Sequence, residues 1–290
     1  MHRNIKYKHI VLLLTVIIIS FSLFKFLPTE VLKTKAILEE DIKIFVVNLD
    51  RSPERYQKIT QQLQKNGLNY ERFNAVDGYL LETVDDKGLK FSGREIKSNP
   101  ELLLANSYYT IRCPSEDVEY YSDFSILPRT LTAGEFGVYC SHREIWYKMV
   151  QKNIPYALIL EDDSVLSANF REQFLKTINT LPSYWDFVYL YMIHFKEKVF
   201  LSVHNNPLLK KIGTNDIGFT TATAYMISLP AARVLLDSSK KFTWPIDHVM
   251  ERSIVSKKME AYVMWPFPIN PEGDSIIGEM FPQKGGEIQH

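Results

Sequence analysis

Three adjacent carboxylates, Glu161, Asp162 and Asp163, follow directly on the apolar run Tyr156-Ala157-Leu158-Ile159-Leu160. Side chains at the end of such a run lose solvent and repel one another, so their ionised forms call for a cation nearby. Oxygen-only ligands suit Mg²⁺ or Mn²⁺, which bind through one or two carboxylates and complete their shells with water and phosphate oxygens. A metal there could offset charge on a departing diphosphate, whereas a solvated acidic turn is the plainer alternative. A second group, Asn48, Asp50, Arg51 and Arg55, gathers two guanidinium groups and polar side chains just past another apolar run. Such a set can hold a phosphate, or a nucleobase with its ribose, although arginines on the first turn of a helix are commonly only a solvated face.

Both groups need a sheet to carry them. The run Ile42 to Leu49 is β-branched and aromatic, as in a buried strand, and ends at the turn-prone Asp50-Arg51-Ser52-Pro53. Ser52 and Pro53 suit the N-cap and first position of a helix that continues through Arg55 to Lys65 and stops at Asn66-Gly67. A second strand, Tyr70 to Val76, ends at Asp77-Gly78, which reads as a tight turn. Strand, helix and strand in this order open an α/β domain with a parallel sheet. The stretch from Tyr79 to Thr130 is polar and irregular, with turn signals at Asp85-Asp86-Lys87-Gly88 and Asn99-Pro100, and reads as an elaboration on the sheet. Thr132 and Glu135 have capping-box spacing for a helix that carries Ser141, His142 and Trp146 to about Lys152. The Tyr156–Leu160 strand then delivers the three carboxylates at its C-terminal end, where ligands sit in open α/β sheets. Further strands are read at Trp185 to Leu190 and Thr221 to Ser228, and a helix at Leu229 to Ser238.

The 290-residue chain, 46% hydrophobic and 13% aromatic, can bury a full-sized core. Its 34 basic residues balance 34 acidic ones, so no general field attracts nucleic acid and any anion must meet a local site. The two cysteines, Cys113 and Cys140, are too few for a disulfide framework and read as free thiols in the core. Residues 1–9 form a basic tail, and residues 10–27 are apolar enough for a short transmembrane signal anchor without a small-x-small cleavage site. Residues 28–41 read as a stem, and residues 42–290 as one catalytic domain.

Four motifs in order resemble those of family 25 glycosyltransferases: Asn48-Leu49-Asp50-Arg51-Ser52-Pro53-Glu54-Arg55, Phe73-Asn74-Ala75-Val76-Asp77-Gly78, Leu131 through Ser141-His142, and Ala157 through Glu161-Asp162-Asp163. That family includes lipooligosaccharide galactosyltransferases of bacteria and collagen galactosyltransferases of animals. The resemblance implies an α/β fold similar to the GT-A type, with a Rossmann-like nucleotide-binding sheet and an acceptor-binding elaboration. It implies an inverting, metal-dependent enzyme that moves a hexose, commonly galactose, from a UDP-sugar to a glycan or glycolipid acceptor such as lipooligosaccharide or lipopolysaccharide. Carried over by position, Glu161, Asp162 and Asp163 would ligate Mn²⁺ or Mg²⁺ together with the donor diphosphate. Asn48, Asp50, Arg51 and Arg55 would line the nucleotide pocket, joined by Ser141 and His142 from the helix motif. His142 would either touch the donor or pack so as to orient the acidic loop. Inversion needs a base for the acceptor hydroxyl, and Asp247, in Trp244-Pro245-Ile246-Asp247-His248, matches the family's late acidic motif; a helix N-cap is its alternative role. Ala133 departs from the family's commoner Pro, Tyr139-Cys140 replaces a small apolar pair, and the fit loosens from Glu272 onward.

A glycoside hydrolase would also use paired carboxylates, but it leaves the arginine motif and three adjacent acids unexplained. A non-catalytic binding module on the same fold is expected to lose the acidic run, which is complete here. The anchor implies a single-pass membrane protein. The absence of an Asn-x-Ser/Thr site favours a bacterial inner membrane over a Golgi or ER type II arrangement.

Overall fold

The strand Ile42–Asn48 lies between Glu71–Asn74 and Tyr156–Glu161 and runs parallel to both. In this computed structural model, which describes residues 37–194, 201–203, 206–213 and 218–272, the eight-stranded sheet continues from Tyr156–Glu161 to Ala224–Ser228. It then passes through Phe187–Tyr189, Ala261–Met264 and Asn206–Lys211 to Leu201–Val203. The expected parallel sheet is therefore mixed, because Ala224–Ser228 pairs antiparallel with both of its neighbours. Only the half around Ile42–Asn48 keeps the strand–helix–strand winding of a Rossmann-like sheet.

Strands buried on both faces split their side chains between two cores. Phe45, Val47, Ala157 and Ile159 point to the core covered by the helices Ala133–Lys152, Leu229–Ser238 and Ile246–Val255. Ile44, Val46, Leu158 and Leu160 point to the other, covered by Pro53–Lys65 and Phe170–Ile178. The helix Ala133–Lys152 begins at the expected capping box: Thr132 Oγ1 accepts from Glu135 N at 3.2 Å and Glu135 Oε2 accepts from Thr132 N at 2.8 Å. Asn153, in the left-handed region at φ 48°, ends it. Ser52 precedes Pro53–Lys65 as expected, but its hydroxyl makes no capping bond.

The stretch read as an irregular elaboration folds instead into a second, five-stranded sheet. Its order is Lys241–Phe242, Val118–Ser122, Ser107–Ile111, Glu82–Asp85 and Lys90–Ser92. Strands of two to five residues carry too little periodicity to stand out in a sequence. Its first hairpin does close on the Asp85-Asp86-Lys87-Gly88 turn, where Asp85 Oδ1 accepts from Lys87 N and Leu89 N.

The seam between this sheet's connecting segments and the central helix is made of glycine. A Cβ on Gly78 would stand 1.7 Å from the carbonyl oxygen of Ala133, one on Gly93 1.8 Å from that of Gly78, and one on Gly137 2.7 Å from Gly78 N. Backbone meets backbone at all three positions, so none admits a side chain. The expectation of free thiols is overturned at the same seam. Cys113, just past the Ser107–Ile111 strand, forms a disulfide with Cys140 of the central helix at a Cα separation of 5.4 Å. The partners are 27 residues apart, and the second sheet, which a cysteine count could not reveal, is what brings them together. The proposed anchor, residues 10–27, lies outside the described residues; among those described, no helix is long and apolar enough to cross a membrane.

Candidate active site

Parallel pairing matches Val47 with Glu161, so the loops after the two strands leave the sheet side by side. A cavity of about 340 Å³ opens there, within the range of small-molecule sites. One wall comes from the large sheet and carries Arg51, Arg55, Glu161, Asp162 and Asp163. The other comes from the turn at Asp77-Gly78-Tyr79, the short helix Gly93–Ser98 and the approach to the central helix, and brings Tyr79, Lys97 and Arg129.

The polar groups of the first wall are largely spent on one another. Asn48 is buried, and its amide donates to Ser52 O at 2.8 Å and to Asp162 Oδ2 at 2.7 Å. Its Oδ1 accepts from Arg72 Nε at 3.1 Å and Nη2 at 2.7 Å. Asn48 thus ties the arginine loop to the acidic run and has no bonding capacity left for a nucleotide. Arg55 Nη1 approaches Asp162 Oδ1 at 3.5 Å. Burial raises the Asp162 carboxyl above the usual carboxylate range, against the opposing pull of Asn48 and Arg55. Asp163 is buried and raised further, first by desolvation and then by the neighbouring Glu161 and Asp162, and among the described residues its Oδ1 has no hydrogen-bond partner. A buried carboxylate oxygen that faces like charge favours a positive charge beside it. The carboxylates do not converge into a cage: among the described residues no three His, Cys, Asp or Glu side chains could hold an ion between them. They fit an ion held through one or two carboxylates and completed by phosphate.

Trp146 Nε1 donates to Tyr225 Oη at 3.0 Å, and Tyr225 Oη lies 2.8 Å from His142 Nδ1. His142 Nε2 stands 3.5 Å from Glu161 Oε1. An indole N–H can only donate, so the phenol is free to donate to Nδ1, which leaves the proton on Nε2 facing the carboxylate. Trp146, Tyr225 and His142 are all fully buried. His142 thus sits beside Glu161 at the cavity lining, within ion-pair distance but without a hydrogen bond to it. Ser141 is likewise occupied, accepting from Val76 N at 2.8 Å and donating to Gly137 O at 2.7 Å.

Of the expected residues, Asn48, Asp50 and Asp247 are not part of the cavity lining. Asp50 is exposed and pairs with Arg72 at 2.9 Å. Asp247 lies in the first turn of Ile246–Val255, accepts from His248 N at 2.9 Å, and does not cap from the N-cap position, which is Pro245. Burial raises its carboxyl, and Glu135 and Glu161 add to the rise, so it feels the charge of the acidic run.

Sequence reasoning missed the second wall and Tyr225. The Tyr79 ring lies between two cations, Arg51 at 5.0 Å and Lys97 at 4.5 Å from its centroid, while Asp77 pairs with Arg51 and accepts from Tyr79 N at 3.0 Å. Arg129 forms a fork with both oxygens of Glu135 at 2.7 and 2.8 Å. Lys97 is exposed, and among the described residues no carboxylate pairs with it. The one signal available was the cluster of Tyr79, Lys97 and Arg129 in a stretch that lacked a strong strand pattern.

Residues 41–250 match the model of glycosyltransferase family 25 (LPS biosynthesis protein). A glycosyltransferase 25 family member of Drosophila pseudoobscura pseudoobscura is 32% identical over 170 residues, 57% of this chain and 22% of that protein. Its namesake in Drosophila melanogaster is 29% identical over 217 residues, 73% of this chain and 30% of its own length. A Homo sapiens protein named inactive glycosyltransferase 25 family member 3 is 26% identical over 231 residues, 77% of this chain and 34% of its own length. The chain thus spans between about a fifth and a third of these curated relatives. With the family match covering most of its length, this chain belongs to glycosyltransferase family 25.

Proposed function

We propose that the chain is an active, inverting glycosyltransferase of GT-A-like architecture that moves a hexosyl group, galactose by preference, from a UDP-sugar to a glycan acceptor. The observation that carries this reading is the buried Asp163 oxygen, without a partner among the described residues, in a cavity that also presents Arg51, Arg55 and Lys97. Family membership alone does not decide activity, since the family includes proteins named inactive. An intact acidic run supports activity here.

Asp163, with Asp162 beside it, would hold Mn²⁺ or Mg²⁺. The ion would supply positive charge against that building on the departing diphosphate. Arg51 and Lys97 would bind diphosphate oxygens from opposite walls, and Arg55 would hold Asp162 in position. Glu161, beside His142, would accept hydrogen bonds from the donor sugar or its ribose. In the transfer, the acceptor oxygen bonds to the anomeric carbon as the bond from that carbon to the diphosphate breaks, and the acceptor's proton passes to Asp247. A carboxyl raised by burial holds a proton better than an exposed one, which suits that role. The acceptor would be a glycolipid of the lipooligosaccharide or lipopolysaccharide type, reached by an enzyme tethered to a bacterial inner membrane through residues 10–27.

A donor screen on the purified protein, with and without Mn²⁺, reading nucleoside diphosphate release, tests the proposal. Asp163→Asn should lower turnover about 100-fold with the fold intact. Full turnover in that variant, or release that ignores both metal and acceptor, would end the metal-assisted reading.

A further inference from the structure

A second groove, about 500 Å³ in volume, lies between the outward face of the five-stranded sheet and the helix Ile246–Val255. The sheet's alternation explains half of the aromatic residues there. Tyr109 and Tyr120 point inward and are buried against Phe136 and Phe242. Their neighbours Tyr108 and Tyr121 sit directly opposite each other on the outward face and stack at 4.4 Å, with Tyr108 58% exposed. Burial does not account for this outer pair, which offers a flat aromatic surface to whatever enters the groove.

Charge gives the surface a preference. Glu119, the one carboxylate of the groove's walls among the described residues, is neutralised by Lys241 at 2.7 Å. Arg252 is held over the Trp244 ring at 5.2 Å, and Lys258 donates to Ser238 Oγ at 3.2 Å. Among the described residues neither has a carboxylate within ion-pair distance, so the groove keeps two uncompensated positive charges beside its aromatic face. Ring faces with flanking hydroxyls suit the C–H face of a sugar, and the two cations suit an acidic substituent on it.

We propose that this groove is a binding site for an anionic oligosaccharide, separate from the donor cavity, that holds an acidic glycan while another part of it reacts. The choice of a saccharide rests on the reading of the chain as a glycan-modifying enzyme; the choice of an anion rests on Arg252 and Lys258 alone. Equilibrium binding to the full-length chain in detergent, with lactose, 3′-sialyllactose, lactose 6-phosphate and an acidic hexapeptide as probes, tests it. The two charged saccharides should bind at least about tenfold more tightly than lactose, and saturating UDP should not displace them. Arg252→Gln combined with Lys258→Gln should weaken that binding about tenfold, and Tyr108→Ala should do the same, with UDP affinity unchanged in both. The site falls if lactose binds as well as its charged forms, if no saccharide binds, if the variants bind like the parent, if UDP competes, or if the peptide binds more tightly. Saccharide binding in a chain that turns over no UDP-sugar would instead remove the transferase reading and leave the groove standing.

Discussion

The two walls of the donor cavity are built on different plans. On the large-sheet side, the framework groups are paired, with Asn48 bridging two loops and Ser141 pinning the Val76 backbone to the central helix, while Asp163 Oδ1 is left without a partner among the described residues. On the second-sheet side Lys97 reaches the cavity exposed, and the Tyr79 ring is held there by cations, Arg51 and Lys97. The first wall fixes where the acidic run points, and the second supplies adaptable contact. Substitutions on the first should therefore damage rate and stability together, and those of Tyr79 and Lys97 on the second should change affinity alone.

The sharpest break would come at the seam that joins the walls. Gly78→Ala forces a Cβ to within 1.7 Å of a carbonyl oxygen with no flexible atom to yield, and should cost more than about 3 kcal/mol in urea unfolding. A loss below about 1 kcal/mol would mean the walls are not locked. Next in size is Asp247→Asn, which should lower kcat about 1,000-fold if the carboxylate is the base. Its raised pKa means the folded state holds that proton more tightly than the unfolded chain. The group's contribution to stability is greatest in acid and is lost as pH rises through the raised folded value. The variant should therefore be slightly more stable than the parent at neutral pH, and the parent's kcat/KM should rise with pH along a limb above the ordinary carboxylate range. A parent profile without that limb would remove Asp247 from the chemistry.

Smaller effects separate orientation from contact. Tyr225→Phe keeps the ring but leaves Trp146 Nε1 and His142 Nδ1 unpaired in the core, at about 1–3 kcal/mol of stability and about tenfold in kcat. If kcat holds while stability drops, the relay is structural only. Lys97→Ala should raise the donor KM about threefold with kcat and thermal midpoint unchanged. A matching fall in kcat would place Lys97 among the groups that act in the transition state.

What could be read from the sequence followed the strength of local patterns. The strand Ile42–Asn48, the capping box at Thr132 and Glu135 and the strand ahead of Glu161 each stand on several consecutive residues of the right type. The direction of Ala224–Ser228 depends on what it pairs with, and an apolar run reads the same parallel or antiparallel. The second wall stayed hidden because strands such as Glu82–Asp85 and Lys90–Ser92 have burial patterns too short to signal a face. The bond between Cys113 and Cys140 depends on that hidden sheet and was lost with it. Of the residues read from motifs, Arg51, Arg55, Ser141, His142, Glu161, Asp162 and Asp163 share one cavity lining, and the bonds that Asn48, Ser141 and His142 make within the fold are visible only from their three-dimensional partners.

The glycine seam also bears on how the cavity responds to what enters it. Gly78, Gly93 and Gly137 bring backbone against backbone, so the joint contains no rotamers to freeze and no side chains to repack. A ligand arriving between the walls would order Tyr79, Lys97 and their neighbours without altering the gap it fills. Warming the protein should loosen the lining long before it widens the cleft. The breadth of what can bind would then be tuned at the lining, with the glycine joint acting as a fixed calliper.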